Sequence, residues 1–289
     1  MISVTDANAL IAAEQSGIVT IAGTVRIGDR DNWFLAGKEV LLLADPAVVI
    51  DGRHWTVTGG RLKAMNGVLF DCLRSTCGLI LNVWASGALK GKELFRCIDG
   101  NSCYDTNVIG GEWSKPQSMT TPIVRVDVGG PTYNRNTWQG LRFQTNGLPA
   151  SPVVHLRCAN VANWIYGNTF RDINFEIPNA GAIHLESCFQ TTMDGMHIYD
   201  ADMYGPITDD VIRVGKFATG LKSKDTRLST YARLSGALAA GKVDIRISDD
   251  GHYAENVIVE QVGGIDGAGL TVALPSWVTQ RCIRAMAAA

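Results

Sequence analysis

The chain reads as a single right-handed parallel β-helix, and three features of the sequence predict that fold. One strand type recurs as Ile123-Val124-Arg125-Val126, Val153-Val154-His155-Leu156, Ala182-Ile183-His184-Leu185 and Val211-Ile212-Arg213-Val214, at spacings of 30, 29 and 29 residues. A second strand follows each first one, and the copies starting at Thr137, Thr169 and Thr192 resemble one another closely. Within these runs apolar and polar residues alternate, as strands with one buried face require. A fixed period of this length, one supersecondary unit per repeat, is the signature of a solenoid. A sandwich would show strands without a sequence repeat, and a propeller would need blades of about 40 residues.

The elements follow in order. Thr5 is placed to cap a short helix over Asp6 to Glu14, with Ala9, Leu10, Ala12 and Ala13 as its apolar stripe and Gly17 as its stop, so residues 1–17 form an N-terminal cap. Short β-rich runs then take over: Ile18 to Ile27, Val40 to Leu43, Val48 to Ile50, Trp55 to Thr58, Val68 to Phe70 and Leu79 to Leu81. Gly, Asp and Asn turns separate them, rather than helices. The β-helix is expected over 18–215. Beyond it the pattern weakens, and 243–274 reads as a hairpin plus a further strand. The 216–289 segment is a last coil, a β cap or a trimerisation segment. Cys72, Cys97, Cys158 and Cys188 each follow a first strand and are read as a ladder of small buried residues at one corner.

Composition narrows the function classes. Charged residues make up 19% of the chain, the net charge is −2 and no Lys/Arg cluster is present, which argues against nucleic acid as a partner. The longest apolar runs, such as Val40 to Ala44, fall far short of the ~20 residues of a membrane span. Met1 to Gly17 lacks a basic stretch followed by an apolar one, so the expectation is no signal peptide and synthesis in the cytoplasm. Seven Cys without CxxC pairs or His partners at metal spacing support neither a disulfide framework nor a metal site, and no cofactor is expected.

The opening coils, Ala7 to Ala13, Ile18 to Ile27, Val40 to Leu43, Val48 to Gly52 and Val57 to Gly60, resemble those of pectate-lyase-like β-helices, a group that includes bacteriophage tailspikes and virion spikes. That resemblance implies one of three roles. The leading expectation is a homotrimeric spike of a phage or phage-like particle that binds host cell-surface polysaccharide and contacts other virion proteins, located in the virion. The alternatives are a polysaccharide depolymerase, either lyase or glycoside hydrolase, with acidic residues in a groove, and a purely structural virion decoration.

Hydrolysis needs two carboxylates across a groove, and a lyase needs a base together with charge neutralisation. Asp172, Asp194, Asp200, Asp202, Asp209 and Asp210 are the acids that could face out from adjacent coils, with Asp194, Asp209 and Asp210 the candidates for catalysis. Asp209-Asp210 resembles the paired aspartates of polygalacturonases, but the accompanying Asn-Thr-Asp and Gly-His-Gly motifs are missing, and no basic triplet of the pectate-lyase kind is present either. Solvated turn acids are the plainer reading of each. Arg125, His155, His184 and Arg213 occupy equivalent points of successive repeats, an outward basic row that either binds anionic groups or is the polar phase of the alternation. Trp113, Trp138, Trp164, Tyr166, Tyr199 and Tyr204 are candidate sugar platforms or subunit contacts.

Overall fold

The structure, a computed structural model, describes residues 1–115, 119–130, 132–146, 150–159, 165–176, 178–199, 204–215, 223, 225–247, 258–260, 262–264, 271–273 and 283–284. The fold is the expected parallel β-helix. One sheet stacks Val25–Ile27, Val48–Arg53, Phe70–Thr76, Phe95–Ile98, Val124–Val128, Val154–Cys158, Ile183–Glu186, Ile212–Gly215, Ile245–Ile247 and Val272–Ala273 in that order. The other runs from Ile18–Ile21 through Glu39–Leu42, Thr56–Ala64, Leu79–Gly87, Asn107–Ile109, Thr137–Gln139, Thr169–Glu176 and Thr192–Tyr199 to Arg227–Leu228 and beyond. Among the described residues every pairing between strands is parallel, so each coil offers its backbone groups to the coils above and below.

Left-handed residues turn the chain from one face to the next. His54, Cys77, Asp105 and Arg135 have φ of 56°, 53°, 52° and 57° and stack as a corner between the sheets. Each passes its N–H to the next coil, as in His54 to Thr76 O at 2.9 Å and Asp105 to Asn134 O at 3.1 Å. A second stack, Gly59, Asn82, Gly110, Gly140, Asp172 and Gly195, bends the other sheet within its own strands and gives the coil a third side. There the backbones crowd: a Cβ on Gly195 would meet Asp172 Oδ1 at 2.6 Å.

Inside the first corner runs a buried polar ladder. Trp55 Nε1 donates to Ser75 Oγ at 3.0 Å, and Ser75 Oγ pairs with Thr106 Oγ1 at 2.7 Å. Asn136 Oδ1 accepts from Thr106 N at 3.0 Å, and Asn168 Oδ1 accepts from Asn136 N at 3.0 Å. These side chains satisfy backbone groups at the turn, where an unpaired one would cost free energy.

Aromatic rings fill the centre. Trp113 packs on Phe70 at 5.9 Å and on Trp138 at 5.5 Å, and Phe95 meets Trp138 edge-on at 5.3 Å. Trp113 and Trp138 are therefore core residues, not sugar platforms. They occupy the inward phase of Glu112–Lys115 and Thr137–Gln139, flanked by half-exposed neighbours.

The N-terminal helix spans Val4–Ala13 and is capped by Ser3 rather than Thr5. Ser3 Oγ accepts from Asp6 N at 3.1 Å and donates to Asp6 Oδ2 at 2.7 Å, a reciprocal cap that fixes the first turn two residues earlier than expected. The buried stripe is Val4, Ala7 and Ile11, one face at helical spacing, and Leu10 points to solvent.

Past residue 215 the described strands continue both ladders in parallel. Ile212–Gly215 pairs with Ile245–Ile247, and Arg227–Leu228 pairs with Ile258–Glu260. The antiparallel hairpin expected across 243–262 is therefore corrected, because its two arms lie in different sheets. The cysteines also form no single ladder. Cys97 faces Val126, whereas Cys158 faces Val128, two residues further along the strand. Both are buried and reduced, as are Cys72, Cys103 and Cys188, and burial pushes the Cys72 thiol well up. Among the described residues no group of three or more His, Cys, Asp or Glu side chains is arranged to hold a metal ion, and no helix is long and apolar enough to cross a membrane.

Candidate functional site

The predicted basic row exists in register: Arg125 lies beside His155, His155 beside His184, and His184 beside Arg213. It is not an open cationic surface. Arg125 is held by Glu93 at 3.3 Å and by Asp127 at 2.9 Å, and His155 Nε2 sits 2.9 Å from Glu186 Oε1. His184 keeps the outward phase but is buried, which corrects its assignment to an open, outward-facing row. Gly181 and the Asp209-Asp210 turn cover it, with its Nε2 3.4 Å from Asp210 O. Desolvation outweighs the nearby Asp209 charge and pushes His184 down to about 4, so the ring is neutral.

The acid candidates are structural ties in part. Asp210 is fully buried and accepts from Arg246 Nη2 at 3.0 Å and from Val243 N at 3.2 Å, so it is no solvated turn acid. Asp209 accepts from Lys242 at 3.0 Å. Burial opposes ionisation, but that bond and the Asp210 N–H hold its carboxyl below the usual range. Asp194 lies opposite Arg171 on the other sheet. Asp172 is exposed at the second corner. Asp200, Asp202 and Trp164 fall outside the described residues. Tyr166 is half-buried beside the first corner, its N–H donated to Asn134 Oδ1 at 2.9 Å, and Tyr204 is exposed on a turn.

One candidate does belong to a cluster. Tyr199 is exposed at the end of Thr192–Tyr199 and shares a pocket of about 240 Å³ with Arg142, Asn174 and Glu176. These residues sit on the outer phase of three consecutive coils: Arg142 faces Asn174, Asn174 faces His197, and Glu176 faces Tyr199. Their inward neighbours Phe143, Phe175 and Ile198 are fully buried, so the core fixes the outward direction of each. His197 Nδ1 stands 3.3 Å from Asn174 Oδ1, and the His197 and Tyr199 rings are 6.2 Å apart. Arg142 is gripped from both sides, by Glu112 at 3.3 Å and by Glu176 through Nε at 2.7 Å.

The pocket thus gathers a guanidinium, an amide, a carboxylate and a phenol, with the imidazole of His197 beside Asn174 at its edge in register. That set can bind a carboxylate, take a proton and give one back. Of these residues the sequence reading singled out Tyr199 alone. The missed signal lies in the three similar second strands: the fifth residue after their starting threonines is Arg142, Asn174 and His197 in turn.

No protein-family model matches the sequence, and no curated protein matches it. Among solved structures, an alginate lyase from Paenibacillus sp. str. FPU-7 superposes with a TM-score of 0.55 at 11% identity, covering 99% of this chain and 98% of that one. The alginate lyase AlyF-OU02 in complex with G6 aligns at a TM-score of 0.31 and 11% identity, over 96% of this chain and 87% of that one, too loosely to argue from. The first likeness shows a shared parallel β-helix fold.

Proposed function

We propose that the protein is a polysaccharide lyase acting on a uronate-containing glycan, with Arg142, Asn174, His197 and Tyr199 as its site. The observation that carries this reading is the register of those four residues across three coils, three of them lining one open pocket and His197 beside Asn174. The fold shared with an alginate lyase supports the substrate class, a polymer that carries a carboxylate on each sugar.

The chemistry is a β-elimination. Asn174 donates its amide to the sugar carboxylate beside the guanidinium of Arg142, and that hydrogen bonding makes the proton on the neighbouring carbon more readily removed. His197 takes that proton. Its electron pair becomes a carbon–carbon double bond, the glycosidic C–O bond breaks, and Tyr199 protonates the departing oxygen. Glu112 and Glu176 hold the guanidinium of Arg142 in place from either side. Hydrolysis fits these two acids poorly, since both are committed to one arginine.

Purified protein incubated with alginate should shorten it and generate unsaturated ends that absorb in the ultraviolet. His197→Ala should lower that rate by about 10²–10⁴-fold. Shortening without unsaturated ends would make the enzyme a hydrolase and sink the elimination scheme.

A second reading uses the same pocket for binding alone: a homotrimeric spike of a phage-like particle, located in the virion and engaging cell-surface glycan together with other virion proteins. The exposed Phe34, Leu73 and Trp84 favour it as surface for subunit contact. Light scattering that gives a trimer, combined with glycan retained at unchanged length, supports this reading over the lyase.

A further inference from the structure

A second pocket, of about 270 Å³, opens on the same outer face nearer the N-terminus, lined by Glu39, Arg61, Lys63, Trp84, Ser86 and Glu112 among others. Three observations set it apart from ordinary surface. Trp84 is 47% exposed although it stands on a central strand, while its inward neighbours Val83 and Ala85 are buried. The Arg61 guanidinium lies over one face of the Trp84 ring, 4.7 Å from its centroid. Among the described residues neither Arg61 nor Lys63 forms an ion pair, a state they share with Arg30, Arg53 and Arg171, whereas Arg96, Arg125, Arg142, Arg157 and Arg246 are each held by a carboxylate. The acids of this pocket make no bond to those cations: Glu112 is turned to Arg142, and Glu39 lies beside Arg61 in register without bonding to it.

We infer that Arg61, Lys63 and Trp84 form a distal subsite for an acidic sugar, which sets the length of chain that the protein binds. The inference rests on the uronate-lyase reading for its substrate class. An exposed indole offers the flat apolar face on which a sugar ring stacks, and the two unpaired cations beside it suit a carboxylate on that ring. Register gives the spacing. Trp84 precedes Ala85, which faces Trp113; Glu112 faces Arg142, Arg142 faces Asn174, and Asn174 faces His197. Four strand steps at ~4.8 Å place the indole roughly 19 Å from the imidazole, a span of about four sugar rings. The Glu112–Arg142 pair joins the two pockets into one track along the stacking direction of the coils.

The test is calorimetric titration of the full chain carrying His197→Ala, so that the ligand stays intact, with alginate trisaccharide, alginate hexasaccharide and a neutral hexasaccharide. The hexasaccharide should bind at least tenfold tighter than the trisaccharide. Adding Trp84→Ala, or Arg61→Ala with Lys63→Ala, should remove that advantage. Phe34→Ala, an exposed aromatic away from both pockets, should leave it intact. The subsite is overturned if the Trp84→Ala protein keeps the length preference, if the neutral hexasaccharide binds equally well, or if no alginate oligomer binds at all. If oligomers bind with the predicted length dependence while the wild-type protein makes no unsaturated product, the lyase reading fails and the subsite stands.

Discussion

Asn174 Oδ1 lies 3.3 Å from His197 Nδ1 across one step of the coil, and this contact decides which imidazole nitrogen is available. With an amide oxygen as acceptor, Nδ1 carries the hydrogen and Nε2 is left to accept a proton. Asn174→Ala frees the ring to turn and to change tautomer. The expected result is a kcat loss of roughly tenfold or more with the fold intact, read from the rate of unsaturated-product formation. An unchanged kcat would remove Asn174 from the positioning of His197.

Trp138 is a stability residue. It is 1% exposed, wedged between Phe95 and Trp113, and its Nε1 donates to Tyr133 Oη at 3.0 Å. Trp138→Ala should cost about 3–5 kcal/mol in urea unfolding, through lost burial and the cavity left behind. A direct role in sugar binding would instead weaken glycan affinity at near-unchanged stability.

Asn136 bonds on several sides inside the first corner, receiving from Thr106 N at 3.0 Å and donating to Cys103 O at 3.1 Å. Asn136→Ala strands these buried backbone groups, at about 1–3 kcal/mol each. Thermal unfolding should therefore fall well below that of the wild type, whereas replacing the exposed Asn82 at the second corner with Gly should be nearly neutral, since its φ of 51° already suits glycine.

His184 predicts acid sensitivity. Its folded value of about 4 lies below the ordinary 6.5, because burial disfavours the charged ring. Between those values the unfolded chain binds a proton that the folded chain does not, so stability is full above pH 6.5 and falls as pH drops toward 4. The shift corresponds to about 3 kcal/mol. His184→Asn should flatten the stability profile across that window. The decline below it belongs to carboxylates such as Asp127 and Asp244, whose ion pairs with Arg157 and Arg233 hold them low against the opposing effect of burial.

The repeat of 29–30 residues was enough to read the solenoid, because stacking demands equal coil lengths and so leaves a period in the chain. Alternation told which strand residues face out, yet it did not tell how covered an outward residue is. His184 is in the outward phase and still buried, because the Asp209-Asp210 turn folds over it. Trp138 shows the opposite case: its aromatic ring suits a sugar platform, but its inward phase buries it in the core. Arg142, Asn174 and His197 lie on separate coils, and only the parallel register brings them together. Thr5 stands nearer the alanine-rich stretch, but Ser3 has Asp6 at the spacing of a capping box, and that pairing sets the helix start.

The most direct test of the account is a crystal structure of the His197→Ala protein soaked with alginate hexasaccharide. The account predicts a sugar chain lying across the coils on the outer face, with one carboxylate on Arg142 and Asn174, the scissile oxygen beside Tyr199 and a distal ring on Trp84. A chain bound instead to the Arg125–Arg213 face, or a sugar whose carboxylates avoid Arg142, would contradict it.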